Sequence, residues 1–311
     1  MTQNPTQLLP TVAVCLAAFN GTRWLTEQLD SIFKQTGVVV KVFVSVDHSS
    51  DGTEELVNQR ASEDNRIVVL PHGECFGGAA RNFFRLLRDV DFSSFDYVSF
   101  SDQDDVWFSD KLVQAHVVLE YSGADAYSSN VVAFWSSGCK KLIIKSQPQR
   151  RWDFLFEAAG PGCTYVMKVK LVQAIQSLLR ERWDEMQEVG LHDWFSYAFA
   201  RANGYRWIID DSAKILYRQH DENQVGVNAG WRAFVHRVRK VLNGWGLTQA
   251  ALIAQLVGLD GDPFVKHWLG GGRCGVLWLV LHARQCRRRG RDRLLFALSC
   301  LALCVVGKSA Q

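Results

Sequence analysis

The sequence predicts an α/β fold built on a doubly wound, mostly parallel sheet, and three observations carry that expectation. Thr11 to Ala18 (TVAVCLAA) is apolar without alternation, as a strand covered on both faces of a parallel sheet must be. Apolar runs of strand length recur downstream, each separated from the next by a stretch of helical periodicity. Three carboxylates, Asp102, Asp104 and Asp105, follow directly on the run Phe95 to Phe100, at the C-terminal strand end where open α/β sheets bind ligands.

The elements follow in order. After the first strand, Trp24/Leu25, Leu29 and Ile32/Phe33 recur at helical spacing, and Gly37 ends that helix. Val38 to Val46 reads as a strand, Thr53 to Arg60 as a helix, Arg66 to Leu70 as a strand, Ala79 to Arg88 as a helix and Phe95 to Phe100 as a strand. Past Lys111 the alternation loosens. A helix to about Tyr121 and a strand near Ala126 to Trp135 precede a Lys/Pro/Arg-rich loop around 140 to 151. A strand near Cys163 to Lys168, helices over Val169 to Arg182 and Asp193 to Ala202, and a strand near Trp207 to Tyr217 complete the body.

The chain of 311 residues is long enough for one large domain with an appendage, and 48% hydrophobic against 22% charged residues excludes a disordered chain. Charge divides it. Residues 231–311 hold 13 Lys and Arg against 3 Asp and Glu, so the totals of 35 and 32 leave 22 and 29 in residues 1–230. An acidic body at −7 therefore carries a basic, apolar tail at +10, whose natural partner is an anionic lipid surface and not nucleic acid. The expected division is a body over 1–230 and a basic, amphipathic helical region over 231–311, serving membrane association or an oligomer contact.

Within the tail, Trp231 to Trp245 is a basic amphipathic stretch, and an Arg cluster (Arg287, Arg288, Arg289, Arg291, Arg293) leads into the apolar run Leu294 to Val306. That run is too short for the roughly 20 residues a membrane crossing needs, so it is expected to lie in the interface. A helical hairpin packed on the body or on a second subunit is the alternative. The eight cysteines show no paired CxxC spacing and are expected as reduced core residues of a cytosolic protein. The polar N-terminus lacks the charged and apolar regions of a secretory signal.

Oxygen ligands such as the Asp102 to Asp105 carboxylates select a hard cation, Mg²⁺ or Mn²⁺, so a metal-diphosphate site is one reading and a solvated acidic loop the other. No GxGxxG follows the first strand, which removes the main support for a dinucleotide-binding reading. Asp47 and Asp51, after the second strand, suit a nucleobase imide or ribose hydroxyl, and equally a plain helix cap.

Taken in order, Val46-Asp47-His48-Ser49-Ser50-Asp51-Gly52-Thr53, Gly77-Gly78-Ala79-Ala80-Arg81-Asn82-Phe83 and Ser101-Asp102-Gln103-Asp104-Asp105-Val106-Trp107 resemble family 2 glycosyltransferases of the GT-A fold. The Ser-Asp-Gln-Asp-Asp-Val-Trp form, followed by Asp110-Lys111-Leu112, is similar to bacterial rhamnosyltransferases of surface-polysaccharide assembly, and the resemblance spans about residues 11 to 225. It implies that Asp47 contacts the base, with Asp51 and Arg81 near the nucleotide. It further implies Asp102 near the ribose and Asp104 on a divalent metal, Mn²⁺ or Mg²⁺. His48 departs from the family, where many relatives carry a second Asp.

The resemblance extends to Gly190-Leu191-His192-Asp193-Trp194-Phe195, where Asp193 would be the catalytic base, and to Tyr217-Arg218-Gln219-His220, where His220 would add a metal ligand and Arg218 would neutralise diphosphate. Gly162, Cys163, His192, Trp194 and Trp107 would line the sugar and acceptor pocket. The expected reaction is inverting transfer from a nucleotide sugar, dTDP-L-rhamnose by resemblance or, as the alternative, another such as UDP-Gal or UDP-Glc, to a saccharide or lipid-linked acceptor. The expected place is the inner face of the bacterial plasma membrane, peripheral and cytoplasmic. Two rivals are a haloacid-dehalogenase-type phosphatase, which would have this motif on its first strand, and a non-catalytic saccharide-binding protein, which would not need Asp104, Asp193 and His220 together.

Overall fold

The computed structural model describes residues 8–72, 75–220 and 243–306. Strands β1 (Thr11–Ala18), β2 (Val39–Val46), β3 (Ile67–Val69) and β4 (Tyr97–Ser101) pair in parallel in the order β3-β2-β1-β4. Between them run α1 (Leu25–Phe33), α2 (Thr53–Glu63) and α3 (Ala79–Asp89), close to the predicted bounds. The unalternating apolar runs have the predicted cause, since β1 from Val12 to Ala18 is buried on both faces.

The second half of the sheet is mixed. After the two-residue β5 (Val106–Trp107) and α4 (Lys111–Ser122), β6 (Ala126–Trp135) is long enough to pair with three partners: the antiparallel β7 (Lys140–Ile143), the antiparallel β8 (Val166–Lys168) and the parallel β9 (Trp207–Gln219). β5 adds antiparallel to β9, and the full order is β3-β2-β1-β4-β8-β6-β9-β5. Two expectations change here. The loop expected around 140–151 begins as strand β7, and the strand expected from Cys163 begins only at Val166, after a 3-10 turn over Gly162–Thr164. α5 (Val169–Glu181), α6 (Trp183–Met186) and α7 (His192–Ala202) cover one face.

The tail is helical, with α8 (Trp245–Leu256), α9 (Pro263–Gly270), α10 (Gly272–Leu281), α11 (Ala283–Cys286) and α12 (Gly290–Val306). Most of the basic stretch expected from Trp231 to Trp245 lies outside the described residues. The described helices do not lie free of the body: Phe264, Trp268, Phe296, Cys300 and Leu303 belong to the same buried cluster as Phe154, Phe156 and Trp194. Nor is the Arg cluster wholly peripheral. The Arg288 side chain is 1% exposed, donating to Asp153 Oδ2 at 3.2 Å and to the Ala158 carbonyl at 2.6 Å.

Asp153, fully buried, also accepts from the Tyr197 hydroxyl at 3.1 Å and pairs with Arg201. Removing one partner of such a pair strands a buried charge. Arg288→Met is therefore expected to cost about 3–5 kcal/mol in denaturant unfolding, and a cost near zero would contradict a tail that is locked to the body. Of the cysteines, Cys15, Cys163, Cys286 and Cys300 are buried as expected, but Cys75, Cys139 and Cys274 are exposed; none of the described cysteines is paired.

Candidate active site

Strand ends converge on one cavity of about 1170 Å³, walled by Ala18 at the end of β1, Asp47 past β2, Asp102 and Asp104 past β4, and His220 past β9, with His192 and Asp193 at the start of α7. Asp104, Asp193 and His220, far apart in sequence, thus share a single space.

The acidic turn is held from several sides. Gln103 pairs both amide atoms with the Phe19 backbone, Oε1 accepting from its N–H and Nε2 donating to its carbonyl, each at 2.8 Å. Gly21 must stay glycine for this, because a β-carbon there would collide with Gln103 Oε1. From the far side Arg218 donates Nε to the Asp104 carbonyl at 2.7 Å and its backbone N–H to Asp105 Oδ1 at 3.0 Å, while its guanidinium pairs with Glu27. Beneath the turn, the buried Lys111 ammonium lies 3.4 Å from the Trp107 ring centroid and donates to Ser99 Oγ at 3.0 Å.

Crowding of carboxylates in a dry site raises their proton affinity. Burial, then repulsion from Asp104 and Asp193, pushes Asp102 up to about 7. Burial, then Asp104 and Asp102, holds Asp105 well above the carboxylate range. Burial likewise draws Lys111 down to about 7.

Ligand atoms of Asp102, Asp105 and Cys163 lie within 4.8 Å of one another. That trio is a poor metal site: burial keeps the Cys163 thiol protonated, and neither Cys163 nor Asp105 reaches the cavity wall. On the cavity side His220 Nε2 lies 2.6 Å from Asp104 Oδ2, with Asp102 two residues away, and Trp24 stacks on the His220 ring at 4.2 Å between centroids. Hard carboxylates with one imidazole, in a cluster whose mutual repulsion a cation relieves, fit a divalent ion of the Mg²⁺ or Mn²⁺ kind.

Asp193, the second residue of α7, accepts from the Trp194 N–H at 2.7 Å. Burial raises its carboxyl to about 6, against backbone hydrogen bonds and the Lys145 charge that lower it. The neighbouring His192 stacks on Phe83 at 3.9 Å between centroids, and burial lowers it to about 3, so this imidazole is neutral. Gly162 admits both residues: a β-carbon there would lie 2.7 Å from His192 Nε2 and 3.2 Å from the Asp193 β-carbon.

Other expected site residues stand differently. Asp47 lines the cavity, but its carboxylate already accepts from the backbone N–H groups of His48, Phe76 and Gly77 at 2.8 to 2.9 Å. Asp51 also lines it while accepting from the Thr53 N–H at 3.1 Å and from the Thr22 N–H at 3.0 Å. Arg81 donates to the Gln187 carbonyl at 2.8 Å and is not in the cavity wall, and Arg218 acts on the acidic turn from behind. Trp107, Trp194 and Cys163, expected in the sugar or acceptor pocket, are core residues behind the wall; Trp194 Nε1 donates to the Phe154 carbonyl at 2.9 Å. Sequence reasoning missed Trp24, Gln103 and Lys145, and the tail residues Arg287 and Asp292, all on or bonded to the wall. Only the placement of Gln103 inside the acidic motif offered a signal for any of them.

Comparison with known proteins agrees with this geometry. Residues 10–140 match the model of a family described as glycosyltransferase like family 2. The chain is 42% identical over 284 residues to a dTDP-rhamnosyl transferase, RfbG, of Shigella flexneri, covering 91% of this chain and 98% of that one. Among solved structures, S. aureus TarS 1-349 in complex with UDP-GlcNAc superposes with a TM-score of 0.55 at 14% identity, covering 95% of this chain and 89% of that one. The mannosyltransferase PcManGT of Pyrobaculum calidifontis, in complex with GDP-Man and Mn²⁺, gives 0.53 at 18% identity, covering 97% and 90%. These two likenesses establish the GT-A fold. With nearly full-length identity to RfbG and the acidic strand end inside the matched segment, the chain belongs to glycosyltransferase family 2.

Proposed function

We propose that the protein transfers L-rhamnose from dTDP-L-rhamnose to a hydroxyl of a saccharide or lipid-linked acceptor, with inversion, in the synthesis of a bacterial surface polysaccharide. The observation that carries this reading is the gathering of Asp104, His220 and Asp193 on one cavity, together with the 42% identity to a dTDP-rhamnosyl transferase. Incubation of the purified protein with a panel of nucleotide sugars tests it. Release of nucleoside diphosphate from dTDP-L-rhamnose in preference to UDP-glucose or UDP-galactose supports it, and preference for a UDP-sugar would move the donor assignment.

In this reading Asp193 takes the proton of the acceptor hydroxyl as that oxygen attacks the anomeric carbon. Its position at a helix N-terminus favours the ionised form. Asp104 and His220 would hold a divalent cation, Mn²⁺ or Mg²⁺, with Asp102 nearer the ribose. When bound, the cation supplies positive charge to the departing diphosphate. Trp24 fixes the His220 ring, and Arg218 and Gln103 fix the loop that presents Asp104. Gly162→Ala is expected to slow turnover by about 10²-fold, because a shift of His192 and Asp193 by a fraction of an ångström spoils the attack geometry. Unchanged turnover would detach Gly162 from the site.

The tail supports a peripheral membrane role within the same reading. Among the described residues no helix is long and apolar enough to cross a membrane. While Phe296, Cys300 and Leu303 of α12 face the core, Leu294, Leu298, Leu301 and Val305 form an exposed stripe at i, i+4, i+7 and i+11 on its other side. Exposed Arg284 and Arg291 stand near its start. That arrangement suits an anionic bilayer surface. Replacing Leu294, Leu298 and Leu301 by Ser is expected to weaken sedimentation with anionic vesicles by about 10²-fold. Equal partitioning would leave the stripe to another copy of the chain, read by its mass in solution.

A further inference from the structure

We propose that Lys145 and Arg287, at the tail end of the cavity, form a subsite for a phosphate or diphosphate group carried by the acceptor. The inference rests on the transferase reading above and names what the second substrate brings.

The cavity has room for it. At about 1170 Å³ it exceeds the roughly 300–1,000 Å³ typical of one small ligand. Its lining is also of two kinds: Asp47, Asp51 and the acidic turn contribute carboxylates, while Lys145, Glu157, Arg287 and Asp292 form a mixed set with two cations. Asp193 is close enough to both to raise Asp102 and to be lowered by Lys145, so a group held at Lys145 belongs to the molecule whose hydroxyl Asp193 meets.

The Gly160-Pro161-Gly162 turn sets that arrangement. A β-carbon on Gly160 would meet the Lys145 stem at 3.6 and 3.7 Å, while Gly162 at the other end abuts His192 and Asp193. Lys145 thus passes along one side of the turn and Asp193 along the other. Among the described residues the Lys145 ammonium makes no ion pair, and burial lowers its proton affinity, with Arg288 and Arg289 adding to that and Glu157 and Asp292 opposing it. Arg287 is similarly underused. Its Nε is buried without a hydrogen-bond partner, and its contact with Glu157 is 4.0 Å long.

Glu157 is already engaged, accepting from the Arg288 N–H at 2.6 Å. Asp153 and Glu157 are therefore taken up largely by Arg288, leaving Lys145 and Arg287 as cations with spare donors on the wall. A phosphate supplies the acceptor oxygens that a buried ammonium and a guanidinium lack. Its source also has an indication. Arg287 caps α11 and is separated from α12, whose outer face is the apolar stripe, only by Arg288 and Arg289, so a diphosphate held here can have its hydrocarbon chain on that face.

The test is titration calorimetry of the full chain saturated with dTDP and Mg²⁺, so that the donor end is filled, followed by farnesyl diphosphate, farnesol or inorganic pyrophosphate. Farnesyl diphosphate is expected to bind, farnesol at least tenfold more weakly. Lys145→Gln and Arg287→Gln should each weaken farnesyl diphosphate about tenfold, with dTDP affinity unchanged as the check on folding and Lys145→Arg restoring binding. Equal binding of inorganic pyrophosphate would support the anion subsite and assign it a diphosphate without a lipid chain. If dTDP binds and farnesyl diphosphate does not, or binds both Gln variants as well as the parent protein, the subsite is wrong. Failure of dTDP itself to bind would overturn the transferase reading and the subsite with it.

Discussion

Replacing Asp193 by Asn is expected to lower sugar transfer by about 10²–10⁴-fold while leaving nucleotide binding intact. The size follows from the role: the acceptor hydroxyl is a poor nucleophile until its proton has somewhere to go, and Asn cannot take it. Binding persists because the carboxylate accepts from its own helix, at the Trp194 N–H, and not from the acidic turn. The pH profile gives an independent check. Burial raises Asp193 to about 6, so the base form dominates above that pH and is lost as pH falls through it. Activity should hold near neutrality and drop about tenfold per pH unit well below 6, and the residual activity of the Asn variant should lack that limb. Normal turnover by Asp193→Asn would remove it as the base.

The second large effect is expected at Asp104. Asp104→Asn, or treatment of the parent protein with a chelator, should reduce transfer by about 10²-fold or more, because a leaving diphosphate without countercharge leaves slowly. Chelator-treated protein should recover with Mn²⁺ or Mg²⁺ and the Asn variant should not. His220→Ala is expected to fall between them. Full activity in chelator would show that the His220 and Asp104 pair, 2.6 Å apart, serves another purpose.

Much of this was legible in the chain because the informative residues fall at strand ends. A continuous apolar run fixes where a buried parallel strand stops, so Asp47 and Asp102 to Asp105 could be placed at the sheet's ligand-binding edge from periodicity alone. The family resemblance then added Asp193 and His220. What the chain could not show was the direction of side chains next to those motifs. Trp107 and Trp194 adjoin site carboxylates in sequence, yet alternation on a strand and rotation on a helix turn them into the core. Arg218 was expected to neutralise diphosphate, and its Nε instead donates to the Asp104 carbonyl of the acidic turn. The tail's apolar period announced an amphipathic helix, but periodicity cannot say that a second face also packs, through Phe296 and Leu303, or that Arg288 would be buried against Asp153. Lys145 stayed hidden because its loop reaches the site only through the long β6 and β7 hairpin.

The proposed single displacement at the anomeric carbon, with Asp193 on the acceptor side and Asp104 and His220 on the leaving-group side, inverts that carbon. The most direct measurement is the anomeric configuration of the product formed by the parent protein from dTDP-L-rhamnose, read by NMR from the one-bond carbon–hydrogen coupling of the new linkage. The expected configuration is opposite to that of the donor. A product with the donor's configuration retained would contradict it.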